Sequence, residues 1–88
     1  MLKEKEVQTQ VIEVKVDLAK LRAARAYKGF TIQQMSKMLG YKANGYTYLE
    51  SGKVPFTLPR LNQVCKVLQI DPRQLLVFEE VVDTFKQW

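Results

Sequence analysis

The stretch MSKMLGYKANGYTYLESGK, residues 35–53, breaks a helical pattern and restarts it within a few residues. Met35 and Leu39 have the spacing of one helix face, and Gly40 then supplies a stop. The helical pattern resumes through Tyr46 and Leu49, which are spaced to face back toward the first helix. Two short helices joined by a tight glycine turn cross at a steep angle, so one helix can brace the other while the second projects from the surface.

The composition is that of one small globular domain. The chain has 88 residues, and its hydrophobic fraction of 47% is too high for a disordered chain. No apolar run exceeds the four residues 75–78, so we expect no membrane span. A single cysteine, Cys65, excludes an internal disulfide and is expected to be a packed thiol rather than a redox switch. Together these features favour a cytoplasmic location.

The positive charge is concentrated around the broken helix. Residues 18–60 carry eight basic side chains against the single acid Glu50, a net charge of +7, whereas residues 1–17 and residues 61–88 each carry −1. A concentrated basic surface is typical of a protein that binds a polyanion. The charge alone is equally compatible with a basic, solvated surface that binds no polyanion.

Outward from this stretch, the pattern predicts further helices on both sides. Asp17 is placed to cap a first helix that ends at Gly29, and Thr31 to cap a second that ends at Gly40. A third helix is expected from about residue 43 or 44 to Ser51, and Thr57 is placed to cap a fourth.

The two ends of the chain complete the predicted architecture. Residues 7–16 alternate and are rich in β-branched side chains, which predicts a strand with a bulge where Val11 adjoins Ile12. The Asp71-Pro72 pair predicts the start of a fifth helix. The expected fold class is therefore all-α, with five helices and an N-terminal β-strand. Its parts are an arm over residues 1–17, a helix-turn-helix domain over residues 18–76 and a helical extension over residues 77–88.

Residues 21–76 resemble the phage repressor/Cro-type helix-turn-helix domain, also called the xenobiotic-response-element (XRE) class. The resemblance rests on the ordered set LRAAR, GFT, MSKMLGY, YLESGK and LNQVCKVLQIDPRQLL. It implies sequence-specific binding of double-stranded DNA and a role in transcription regulation. It also implies a structural salt bridge between Arg25 and Glu50.

The same resemblance assigns residues to the DNA surface. The base-reading positions fall on Lys42, Ala43, Asn44, Thr47 and Tyr48. The phosphate-contacting positions fall on Thr31, Gln33 and Lys53. Asn44 can pair with adenine, but it is equally suited to capping the third helix without reading a base. Tyr46 is expected in the core and Tyr41 at the turn, while Gly45 either allows a close approach to DNA or shortens the recognition helix.

The residue inventory favours binding over catalysis. The chain has no histidine, no second cysteine for a metal pair and no glycine-rich phosphate loop. We therefore expect no enzymatic activity, no cofactor and no metal site.

The terminal segments suggest assembly. A lone strand needs a partner, either in a second subunit or elsewhere in its own chain. The apolar stripe of the fifth helix either folds back on the core or forms a homodimer interface, for which the expected residues are Phe78, Val82, Phe85 and Trp88.

A dimer would bind two half-sites of a near-palindromic operator. Repression is favoured over activation because the chain shows no effector domain. The alternative function is a protein-interaction module, such as an antitoxin or adaptor, whose terminal segments bind another protein partner.

Overall fold

The structure is a computed structural model that describes the backbone of residues 5–87 and the side chains of residues 11–81. Strand β1 (Lys5–Val16) leads into helices α1 (Leu18–Tyr27), α2 (Ile32–Leu39), α3 (Gly45–Glu50) and α4 (Leu58–Leu68). A single 3-10 turn (Pro72–Leu75) then leads into strand β2 (Leu76–Gln87). The four helices and the 3-10 turn are called the helical body below.

The helix boundaries follow from the capping residues. The Asp17 carboxylate accepts a hydrogen bond from the backbone N–H of Lys20 at the start of α1. At the start of α4, the Thr57 hydroxyl accepts a hydrogen bond from the backbone N–H of Arg60. Thr31 forms a reciprocal capping box with Gln34 at the start of α2. Gly40 ends α2 in the left-handed conformation, with φ of 72°. The predicted caps and the glycine stop of α2 are therefore confirmed.

The core is formed where α1, α2, α3 and α4 meet the 3-10 turn. Its buried side chains are Leu21, Met35, Tyr46, Leu49, Leu61, Val64, Cys65, Leu68 and Leu75. The free Cys65 thiol lies among them, as predicted, and burial raises its pKa. Tyr46 is completely buried, which confirms its predicted place in the core.

The expectation of a fifth helix was wrong. Asp71 accepts a hydrogen bond from the backbone N–H of Arg73, but the helical segment ends after one 3-10 turn at Leu75. From Leu76 onward the chain is strand β2, so the predicted helical extension over residues 77–88 is extended backbone as far as Gln87. Over residues 5–87 the fold has four α-helices and a two-stranded sheet, and it is not strictly all-α.

The two strands pair with each other in one chain. They run antiparallel in continuous register from the pair Lys5–Gln87 to the pair Val16–Leu76, with no bulge at Val11 and Ile12. Residues 76–82 are apolar or β-branched at most positions, and a strand of matching length is available to pair with them, so extended backbone is favoured over a helix. The physical reason for the error is that this partner strand is distant in sequence.

The predicted dimer stripe does not lie on a helix, because Phe78, Val82 and Phe85 belong to β2. Phe78 lies in β2 with its side chain exposed. Val82 and Phe85 belong to β2 by their backbone, but their side chains lie outside the described residues, and Trp88 lies outside them altogether.

The paired strands, called the ribbon below, extend away from the helical body. A hydrogen bond of 2.7 Å from the Asp17 N–H to the Leu75 carbonyl fixes the base of the ribbon. The molecule measures 64 × 24 × 17 Å and has a radius of gyration of 18.0 Å. A compact chain of this length would have a radius of gyration of about 12 Å. The ribbon is the cause of the elongated shape.

Candidate nucleic-acid interface

Helices α2 and α3 are joined by a tight turn with two left-handed residues. After Gly40, Ala43 also has a positive φ, of 45°. The Tyr41 N–H donates to the Ser36 carbonyl at 2.9 Å, and the Gly45 N–H donates to the Lys42 carbonyl at 2.9 Å. These bonds fix the direction in which α3 leaves the turn. The left-handed Ala43 was not predicted, because alanine carries no sequence signal for that conformation.

Gly45 lies in tight packing inside the turn. A Cβ atom at this position would lie 3.2 Å from the Cβ atom of Tyr41. Tyr41 in turn stacks on Tyr46, with ring centroids 6.5 Å apart and an interplanar angle of 26°. The glycine therefore lets the start of α3 approach the stacked tyrosines. The sequence had suggested only a close approach to DNA or a shortened recognition helix as reasons for a glycine here.

The C-terminal end of α3 is held by an ion pair with α1. The guanidinium group of Arg25 donates to both carboxylate oxygens of Glu50, with Nη2–Oε1 and Nε–Oε2 distances of 2.9 Å. Its Nη1 also donates to the Phe30 carbonyl at 2.9 Å. Glu50 is 3% exposed, and hydrogen bonding to Glu50 raises the pKa of Arg25. Arg22 adds a hydrogen bond of 3.2 Å to the Glu50 backbone carbonyl.

The structure brings together only part of the expected base-reading set. Ala43, Asn44 and Thr47 line an open cleft between α2 and α3, together with Gln33 from the expected phosphate set. Lys42 faces a smaller groove beside Arg60 on the other side of α3. The residues expected to read bases therefore occupy both sides of the N-terminal end of this helix.

Asn44 holds the N-cap position of α3 without capping it by its side chain. Its backbone carbonyl accepts a hydrogen bond of 2.9 Å from the Tyr48 N–H, as an N-cap carbonyl does. Its side-chain amide makes no capping hydrogen bond, and the residue is exposed. The side-chain amide therefore does not act as the cap of α3 in this structure.

The expected phosphate contacts differ in their availability. The Thr31 hydroxyl accepts from the Gln34 N–H at 3.1 Å, and the Thr31 N–H donates to the Gln34 side chain at 2.8 Å. The Thr31 N–H is therefore engaged within the helix, whereas the hydroxyl is engaged only as an acceptor and its O–H can still donate to a phosphate oxygen. Gln33 and Lys53 are exposed. The Lys53 ammonium lies 4.6 Å from the centroid of the Tyr48 ring, a cation–π contact that the sequence interpretation missed because it treated the two residues separately.

The basic segment retains its charge in the folded protein. Within residues 18–60, all of which the structure describes, Arg25 is the one basic residue that forms an ion pair with an acidic side chain. The other seven basic side chains are Lys20, Arg22, Lys28, Lys37, Lys42, Lys53 and Arg60. The segment of residues 18–60 therefore keeps seven basic side chains that no acidic side chain of the described residues neutralises.

In the part of the chain that the structure describes, no helix is long and apolar enough to cross a lipid bilayer. Among the same residues, no group of three or more histidine, cysteine or acidic side chains is arranged to hold a metal ion.

One of the comparisons with known proteins agrees with this geometry. No curated protein and no solved structure matches the chain. The family model described as a helix-turn-helix domain matches residues 18–77, which begin with α1 and end in the first residues of β2. This match includes more than half of the chain and is consistent with the repressor/Cro-type resemblance. The chain belongs to the helix-turn-helix domain family.

Proposed function

We propose that the protein binds specific sequences of double-stranded DNA and regulates transcription, as a binding protein rather than an enzyme. The observation that carries this proposal is the exposed Asn44 amide at the start of α3, in a segment, residues 18–60, whose net charge is +7. Asparagine can form two hydrogen bonds to adenine in the major groove. The surrounding positive charge supplies sequence-independent attraction to phosphates.

The proposed regulatory mode is repression by a dimer. Two copies related by a two-fold axis would present two α3 helices to half-sites about one helical turn apart, which requires a near-palindromic operator. A dimer on such an operator would occlude a promoter that overlaps it. We expect added protein to lower transcription from a template whose promoter contains the selected site, and to leave a template with a scrambled site unchanged.

Two measurements test DNA binding itself. Selection from a random duplex library should yield one near-palindromic site. Titrations at several salt concentrations should show that the logarithm of the binding constant falls steeply with the logarithm of salt. If a dimer neutralises about eight phosphates, the slope should be about −7. Binding that is equally weak for every duplex and insensitive to salt would contradict the proposal and favour the protein-interaction alternative.

A further inference from the structure

Two openings lie on opposite sides of α3. One is the cleft between α2 and α3, which contains Thr47, and the other is the smaller groove, which contains Gly45. Successive residues of an α-helix are about 100° apart around its axis, so Thr47 lies about 200° from Gly45. The smaller groove is called the Lys42–Arg60 groove below. It is lined by Tyr41, Lys42, Gly45, Leu49, Val54 and Arg60.

The Lys42–Arg60 groove contains two basic side chains and no acidic one. Lys42 belongs to the turn before α3, where it is exposed, and Arg60 lies half-buried in the first turn of α4. Neither side chain forms an ion pair with an acidic residue in the part of the chain that the structure describes. The fold therefore brings two cations from different elements to one opening.

The loop before α4 restricts the Arg60 guanidinium. Its Nη1 donates to the Pro55 carbonyl at 3.0 Å, and the Arg60 backbone N–H donates to the Thr57 hydroxyl at 3.3 Å. Arginine has five side-chain N–H donors, and the others have no hydrogen-bond partner among the described residues. A guanidinium that is already oriented loses less side-chain entropy when it donates to a phosphate.

An anion is the ligand that suits both cations of the groove. Like charges at one opening repel each other, and an anion between them replaces this repulsion with two attractions. The edge of a neutral base would leave the repulsion in place. Lys42 also faces the groove with Arg60 rather than the cleft with Asn44, so its position favours a phosphate over a base edge.

We propose that the Lys42–Arg60 groove binds a backbone phosphate of double-stranded DNA, an inference that rests on the proposed function. Arg60 becomes a DNA contact, and Lys42 holds a phosphate instead of reading a base. A helix in the major groove lies between two sugar-phosphate backbones, one from each strand. Gln33 and Lys37 line the cleft on one side of α3, and the Lys42–Arg60 groove lies on the other. Each side of α3 therefore presents polar or cationic groups to one strand.

The test compares single variants of the full chain in titrations of the selected operator and of a random duplex at several salt concentrations. Arg60→Gln and Lys42→Gln should each weaken both duplexes about five- to tenfold for each copy bound, and make the salt slope shallower by about 0.9 for each copy bound. Lys66→Gln is the matched control, because Lys66 lies on α4 like Arg60 but lines neither opening. It should change affinity by less than about twofold, since salt screens a distant charge.

Site selection and a conservative variant separate phosphate binding from other roles. The Lys42→Gln variant should select the wild-type operator, and a changed base in its selected site overturns the shared phosphate site. Arg60→Lys keeps the charge and should keep most of the salt slope. If Arg60 only supports the loop through Pro55, Arg60→Lys and Arg60→Gln should lose thermal stability and affinity together with the slope unchanged, and that result overturns the proposal.

Operators with one neutral methylphosphonate in place of a phosphate locate the contact. The wild-type chain should lose affinity at each contacted phosphate, and Arg60→Gln should be insensitive to one of these replacements. Gln33→Ala should be insensitive to a different one, on the opposite strand. Equal sensitivity of Arg60→Gln and the wild type at every position overturns the proposal.

The same titrations distinguish failure of this inference from failure of DNA binding. A wild-type chain that binds no duplex refutes the proposed function, and the phosphate site with it. A wild-type chain that selects an operator, while Arg60→Gln and Lys66→Gln behave alike, refutes the phosphate site alone.

Discussion

Lys53 and Tyr48 form one unit on the exposed side of α3, with the ammonium 4.6 Å from the centroid of the aromatic ring. The Lys53 N–H donates to the Tyr48 carbonyl at 2.9 Å, so the backbone and the side chain both join the two residues. The ring restricts a flexible lysine to the surface that carries the expected base-reading residues. A restricted cation loses less side-chain entropy when it contacts a phosphate.

Lys53→Ala should weaken binding to every DNA sequence by a similar factor, because a phosphate contact carries no base information. Loss of one cation should make the salt slope shallower by about one unit. Titrations of the selected operator and of a random duplex at several salt concentrations measure both effects. Tyr48→Leu serves as the companion variant and should give a partial loss if the ring positions Lys53. A loss confined to the operator would assign Lys53 to base reading instead.

Asn44→Ala should lower affinity for the operator by about 1–3 kcal/mol and leave affinity for random DNA almost unchanged. The Asn44 side chain makes no capping hydrogen bond, so the thermal stability of the free protein should remain close to that of the wild type. Thr57→Ala is the matched control, because the Thr57 hydroxyl does accept from the Arg60 N–H. Its loss should cost about 1 kcal/mol of stability without changing the selected sequence. An Asn44 variant that selects the original operator would remove this residue from the base-reading set.

Much of the helical body could be predicted from the sequence because its signals are local. Asp17, Thr31 and Thr57 mark helix starts, and Gly40 marks a stop, through hydrogen bonds and dihedral angles that involve near neighbours. The C-terminal segment could not be predicted in this way. Its apolar residues fit a helical stripe about as well as a strand, and the pairing with β1 joins residues 60 or more positions apart.

The candidate site was predictable to a similar extent. The resemblance placed Asn44 and Lys53 on exposed positions near α3, but the internal contacts of the site require three-dimensional information. The engagement of Thr31 in a capping box and the stacking of Lys53 on Tyr48 are both side-chain arrangements. The left-handed backbone of Ala43 arises because the turn between α2 and α3 must close over a short distance.

Removing one partner of the Arg25–Glu50 pair should destabilise the protein strongly. Glu50→Gln leaves Arg25 without its carboxylate, and Arg25→Met leaves a carboxylate that is 3% exposed without a cation. We expect either single variant to lower the free energy of unfolding by about 3 kcal/mol. This value is near the lower end of the losses seen when a buried ion pair is broken, because the Arg25 side chain is still 16% exposed. Denaturant unfolding measures the change. The double variant should lose less than the sum of the two single variants, and strict additivity would show that the residues act independently.

Gly40→Ala should destabilise the fold without a steric clash. No atom lies within 4 Å of a Cβ built at this position, but φ of 72° is unfavourable for a residue with a side chain. The expected cost is about 1 kcal/mol, measured by thermal unfolding. Gly40→Asn is the control and should cost less, because asparagine tolerates the left-handed region better. Equal stability of the alanine variant and the wild type would contradict the backbone explanation.

Stability should fall in alkaline solution, and Tyr46 should contribute to the fall. Burial, together with the nearby Glu50 carboxylate, raises the pKa of Tyr46 above its usual value of 10.0. The unfolded chain therefore releases the phenolic proton at a lower pH than the native protein does. The stability contribution is fully present below pH 10 and is lost progressively as the pH rises above that value. Burial raises the pKa of Cys65 from its usual value of 9.0, which acts in the same direction at slightly lower pH.

Tyr46→Phe isolates the tyrosine contribution. The Tyr46 hydroxyl is buried and makes no hydrogen bond within the described residues, so its removal should leave stability at pH 7 unchanged or raise it by up to about 1 kcal/mol. The ring and its stacking on Tyr41 are retained. Urea unfolding of both proteins at a series of pH values from about 7 to 11 should show a smaller alkaline loss in the variant. If the two curves stay parallel through this range, the phenol does not ionise differently in the folded and unfolded chains. A large loss of stability in the variant at pH 7 would show instead that the hydroxyl has a partner that supports the core.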